Sequence, residues 1–63
     1  MSDEQTQNRL GDLLTIEEVS ERYQVTTRTI QNWVRDGRFP QPMRLSRRLL
    51  RWRLADLVRF ESE

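Results

Sequence analysis

No cysteine and no histidine occur among the 63 residues of this chain. The first absence rules out disulfides and thiolate–zinc sites, and nothing then points to an oxidising compartment. The second removes the commonest general base and metal ligand. Lysine is missing too, so all 11 basic side chains are arginines. Arginine's rigid planar fork bonds a phosphate or a guanine edge bidentately, whereas lysine offers only a point charge. No apolar run approaches the ~20 residues that a membrane span needs, and the polar, acidic stretch from Met1 to Thr15 does not resemble a signal peptide. The expectation is a cytoplasmic protein with no membrane contact. So short a chain makes one domain at most. It buries only about 60% of the surface its unfolded form exposes, which leaves little room for a catalytic cleft.

The net charge of +1 conceals a strong sorting along the chain. Residues 1–22 carry six acids and two arginines, a net of −4. From Arg28 to Arg59 nine arginines face only Asp36 and Asp56, a net of +7, before Glu61 and Glu63 close the chain. Residues 1–12 show no hydrophobic period and are expected to form a disordered acidic leader, with 13–63 as the folded domain.

The first helix announces itself in Leu14-Thr15-Ile16-Glu17-Glu18-Val19. Thr15 is placed to cap it, with Glu18 reaching back to complete a capping box and Leu14 and Val19 forming a hydrophobic staple. Ile16, Val19 and Tyr23 share one face, which predicts a helix over 16–23. The pattern repeats in Val25-Thr26-Thr27-Arg28-Thr29-Ile30, with Thr26 as the cap. This second helix should continue to about Asp36 and stop at Gly37, with Pro40 close behind. Two helices joined through only Gln24 to Thr26 must cross steeply, as in a helix-turn-helix.

Each proline of Phe39-Pro40-Gln41-Pro42 pushes its predecessor out of the helical region, so this segment should be extended. Met43-Arg44-Leu45 and Leu49-Leu50-Arg51-Trp52 follow as two short strands around Ser46-Arg47-Arg48. Two-residue alternation puts Leu45, Leu50 and Trp52 inward, with Arg44 and Arg51 outward. A last helix from about Leu54 to Glu61 should bury Leu54, Leu57 and Val58, with Phe60 at the margin. Its cap position holds Arg53, which has no short side-chain acceptor. The fold expected is mainly α: a winged helix-turn-helix of three short helices and a two-stranded wing.

On a helical wheel Ile30, Trp33 and Val34 fall within an arc of roughly 100° and face the core. Arg28, Gln31, Asn32 and Arg35 fall on the other side, with Thr27 near its edge. Arginine pairs with the O6 and N7 of guanine, and asparagine or glutamine with the N6 and N7 of adenine. Threonines at the helix start suit phosphate, helped by the free N–H groups there. The face also lacks glutamate and lysine, the usual solubilising residues. The wing adds Arg44, Arg47, Arg48 and Arg51 within eight positions, suited to phosphates or a narrow minor groove. For Arg51 and Arg53, stacking on Trp52 or pairing with an acid of the first helix competes with that role. Trp33 and Trp52 point inward and read as core, not as stacking platforms for single-stranded bases.

The segment from Leu14 to Glu61 resembles the AlpA-type phage regulators and related small excisionases of the MerR-like winged-helix group. The likeness rests on the two capped helix starts, on Gly37-Arg38-Phe39-Pro40-Gln41-Pro42, on Leu45 and Arg48, and on Trp52-Arg53 with Asp56-Leu57 and Phe60. Ser46 stands where a glycine is common, and Phe60 where a tryptophan often sits. The resemblance implies a prophage or mobile-element transcription regulator, or a directionality factor that bends DNA for excision. The second helix would enter the major groove and the hairpin flank it in the minor groove. By position, Thr27, Arg28, Thr29, Gln31 and Asn32 match the recognition helix, and Arg48 the wing arginine. Together with Thr26, Arg35, Arg44 and Arg47 they make the expected DNA-binding set.

An enzyme is not expected. Glu17 and Glu18 are neighbours in sequence, so they point about 100° apart on a helix and cannot share a substrate. No cofactor, metal or small-molecule ligand is implied. The partners expected are double-stranded DNA, further copies of the chain on adjacent sites, and an integrase or recombinase. The acidic first helix beside a basic second half, with Leu49 outward in the wing, would permit head-to-tail contacts. The alternative is a protein-binding module that uses the same fold to regulate an integrase or transcription regulator without reading DNA.

Overall fold

The computed structural model describes residues 12–63, so the expected leader lies outside the described residues apart from Asp12. The elements run β1 (Leu13–Leu14), α1 (Ile16–Tyr23), α2 (Thr27–Arg35), β2 (Met43–Arg44), β3 (Leu50–Arg53) and α3 (Leu54–Ser62).

Both helices of the first half start and stop by the same devices. The Thr15 side chain accepts the Glu18 N–H at 3.1 Å, and the Glu18 carboxylate accepts the Thr15 N–H at 2.8 Å. The Thr26 hydroxyl accepts the Thr29 N–H at 3.1 Å. Each helix then ends in a Schellman motif, in which a left-handed residue lets two backbone N–H groups turn back onto orphan carbonyls. After α1 the left-handed residue is Gln24 (φ 58°), with Gln24 N–H donating to Glu21 and Val25 N–H to Ser20. After α2 it is Gly37 (φ 75°), with Gly37 N–H donating to Val34 and Arg38 N–H to Trp33. The glycine was legible as a stop. Glutamine in the left-handed region was not, yet it sets the steep crossing of α1 and α2. Gln41 reinforces the α2 stop by donating its amide at 3.1 Å to Val34 O, which already accepts from Gly37.

The wing hairpin of β2 and β3 is present as expected, and its antiparallel register pairs Met43 with Arg51 and Arg44 with Leu50. One strand was not foreseen. Leu13 and Leu14 pair antiparallel with Arg53 and Trp52, giving a three-stranded sheet in the order β1-β3-β2. Leu54 N–H, at the start of α3, donates to Asp12 O at 2.9 Å, which supplies backbone bonding where Arg53 gives no side-chain cap.

Register also corrects two orientations. Arg44, expected outward, pairs with Leu50 and so shares the face of Leu50 and Trp52, staying exposed at the edge of the sheet, and Leu45 goes the other way. Leu45 was expected inward but is 49% exposed. Its N–H donates to Leu49 O at 2.8 Å, so Leu45 stands opposite Leu49, itself exposed, one pair beyond Arg44 and Leu50. Alternation along both strands then carries Leu45 to the outer face with Leu49. The turn closes with Leu49 N–H on Ser46 O, and its residues hold negative φ, so Ser46 meets no demand for glycine.

Val19, Ile30, Phe39, Trp52 and Leu57 form the buried core, with Leu14, Ile16, Tyr23, Val25, Trp33 and Val34 packed around it. Phe39 sits at its centre. Its ring lies 5.5 Å from Tyr23, 5.8 Å from Trp33, 6.3 Å from Trp52 and 5.2 Å from Phe60, three of these edge-on. The Trp52 indole donates to Pro40 O at 2.8 Å, fastening the proline segment to the wing. Trp33 is half-buried, as are Leu54 and Val58, so α3 buries Leu57 fully and the other two in part. No buried side-chain nitrogen or oxygen among the described residues lacks a partner.

Away from the wing, the guanidinium of Arg22 in α1 grips Glu61 of α3 through two bonds of 2.7 and 2.9 Å, and the Tyr23 hydroxyl donates to the same carboxylate. The Arg22 bonds, followed by that from Tyr23, hold the Glu61 carboxyl down to about 2. Burial, and then its bond to Glu61, pushes the Tyr23 hydroxyl up to about 12. A depressed carboxyl stabilises the fold above its unfolded value, and that contribution fades as pH falls through the folded one. Glu61→Gln should therefore cost roughly 1 kcal/mol at most at neutral pH, since the clip is largely solvent-exposed. The gap between wild type and variant should shrink as thermal melts are taken from pH 4.5 down to about 2. A gap that stayed constant over that range would show that the ionic contact contributes nothing.

Candidate nucleic-acid interface

The α2 helix turns Ile30 fully inward and leaves the opposite side to polar groups. Arg28, Gln31 and Arg35 are exposed, and Thr27, Thr29 and Asn32 are half-buried on their flanks. Arg35 makes only a loose contact with its neighbour Asp36 at 3.7 Å, both side chains being at least half exposed. Thr26 and Thr29 are already engaged, because the Thr26 hydroxyl caps α2 and lies 3.1 Å from the Thr29 hydroxyl. These two threonines shape the helix start before they meet any ligand. Thr27 has no such internal duty.

In the wing, Arg44, Arg47 and Arg48 are exposed, and among the described residues no acid pairs with them. Arg51 and Arg53 turn to local acceptors and not to the acids of α1. Arg51 donates to Leu50 O at 2.8 Å, and Arg53 to the Met43 sulfur at 3.0 Å. The helix and the wing converge on one groove of about 520 Å³, to which Gln31 and Arg35 contribute from α2 and Arg48 from the wing. Val34, Leu50 and Trp52 supply its apolar part. In the sequence, helix and wing are two separate local patterns. That they share a groove follows from the packing of β3 against α1, which no local pattern reveals.

Chemically the surface is a set of uncommitted guanidinium and amide groups on a rigid support. It matches acceptors in fixed array, such as base edges and phosphates. No metal-holding cluster of acids occurs among the described residues, and none of their helices is long and apolar enough to cross a membrane.

Two capped helices joined by a left-handed turn, flanked by an arginine-bearing hairpin, define a winged helix-turn-helix domain. The sequence profile described as "helix-turn-helix domain" matches residues 13–63, and the chain belongs to that family. No curated protein and no solved structure matches it. Membership of this family suggests DNA as the partner.

Proposed function

We propose that the protein binds double-stranded DNA sequence-specifically, as a transcription regulator or excision directionality factor of a prophage or mobile element. The observation that carries this reading is the groove in which Gln31 and Arg35 of the exposed α2 face meet Arg48 of the wing, with Arg28 exposed on the same helix and Arg44 and Arg47 exposed in the same hairpin. Arg28, Gln31, Asn32 and Arg35 read base edges in the major groove, with Thr27 on phosphate at the helix start. Arg44, Arg47 and Arg48 hold the backbone or enter the minor groove. A single module buries only about 600–1,000 Å² of protein surface on DNA, so high specificity calls for several copies on adjacent sites. An integrase or recombinase is the protein partner this role implies.

Titration against the DNA flanking its own gene, at two salt concentrations and with an unrelated duplex as competitor, tests the reading. Discrete, ladder-like shifts that resist the competitor are expected. Equal binding to both duplexes that vanishes with modest salt would instead favour a protein-binding module. The division of labour is tested by two variants. Arg47→Ala should weaken binding to every sequence and flatten the salt slope by about one unit, whereas Asn32→Ala should relax the preference at one position. An Asn32→Ala protein that lost affinity uniformly would refute that division.

A further inference from the structure

The groove between α2 and the wing has a second consequence, resting on the DNA reading above. A duplex whose major groove takes α2 and whose adjacent minor groove takes the wing must thread one sugar–phosphate strand between the two elements. The groove there holds Arg35 on one wall and Arg48 and Arg51 on the other, with Pro42 and Leu50 as apolar surface. The wing guanidinium groups suit phosphates while Arg35 reaches a base edge from the α2 wall, and the apolar surface suits the C–H faces of deoxyribose.

One residue in this groove has the opposite sign. Glu17 lines it from the first turn of α1 and is exposed. Its carboxylate forms no ion pair within 4.0 Å among the described residues, although three arginines share the groove. The neighbouring Glu18 is consumed by the capping box, whereas among the described residues the Glu17 side chain has no hydrogen-bond partner. We propose that this groove cradles one DNA strand, and that Glu17 opposes its phosphates and so lowers the affinity of a single copy for any duplex. Phosphates are the same in every sequence, so the opposition is uniform and leaves the preference among sites untouched. Arg51, which the sequence left between a structural and a DNA role, works in the cradle against Glu17.

The test uses the full chain with Glu17→Gln and Arg51→Gln, titrated on a target and a random duplex across a salt series. Circular dichroism melts confirm that both variants fold. Glu17→Gln should tighten binding to both duplexes by roughly fivefold, the scale of two unit charges a few ångströms apart in water. Its plot of log affinity against log salt should steepen by about 0.9, the value of one phosphate contact, and Arg51→Gln should flatten it by a similar amount. A scan of duplexes, each carrying one neutral methylphosphonate, should contain a position at which wild type and Glu17→Gln bind alike. A Glu17→Gln protein that bound like wild type, more weakly, or more tightly on one sequence alone would overturn the cradle while wild-type binding kept the DNA reading intact. Wild-type protein that bound no duplex would remove the DNA reading itself, and the cradle with it.

Discussion

Phe39→Ala is expected to leave the domain largely unfolded at ambient temperature. Phe39 is 5% exposed and touches four other rings, which come from α1, α2, β3 and α3. Removing a buried phenyl ring costs about 3–5 kcal/mol, the sum of lost transfer energy and the cavity left behind. Native domains hold only about 5–15 kcal/mol in all, and one this small lies at the low end. The ring cannot be replaced by collapse, because its neighbours are themselves large and fixed. Trp52 is held through its indole to Pro40, and Tyr23 through its hydroxyl to Glu61. Far-UV circular dichroism with urea titration reads the effect. Phe60→Ala provides the contrast, since Phe60 is 39% exposed and meets Phe39 from the rim. Equal losses in the two variants would show that the ring cluster is not centred where the geometry puts it.

Arg28→Ala combined with Gln31→Ala should remove most of the preference for the target over a random duplex while leaving the melt unchanged. Both side chains are exposed, and neither forms an ion pair among the described residues, so the fold loses little with them. They lie three residues apart on α2 and project together. Each good bidentate base contact is worth about 1–3 kcal/mol of discrimination, and two that serve separate base pairs should nearly add. Competition against a random duplex measures the ratio directly. A double variant that kept full preference for its site would place base reading elsewhere, with Asn32 and Arg35 as the next candidates.

The helix-turn-helix was legible because its signals are local. A capping box, a staple and a glycine stop each occupy a few adjacent residues, and the structure contains the capping box and the glycine stop. What stayed hidden depended on partners far along the chain. Leu13-Leu14 is too short to show a strand period, and it becomes a strand only because the edge of β3 is there to receive it. Leu45 was misplaced because alternation says which residues share a face but not which face. That choice is made by register, here fixed by the Leu45–Leu49 bond. Phe39 reads as part of an extended proline segment, yet it occupies the centre of the core because the chain must cross from α2 to the wing beneath Tyr23 and Trp33. For the candidate interface, the polar face of α2 and the arginines of the wing could be read from type and phase. The groove they share could not, nor could the position of Glu17 within it.

The pairing of β1 with β3 bears on when the protein becomes competent. During synthesis α1 and α2 emerge early and contact each other at short range, so they can associate as soon as both exist. The sheet has to wait, because Leu13 and Leu14 find Arg53 and Trp52 only once β3 has left the ribosome. Trp52 and Leu57, two of the buried residues, arrive at the same late stage. A nascent chain stopped before them would hold a helical hairpin with its apolar face uncovered and no wing. Emergence of β3 and α3 therefore closes the core and erects the hairpin in one event, so a chain lacking them would offer proteases an open substrate.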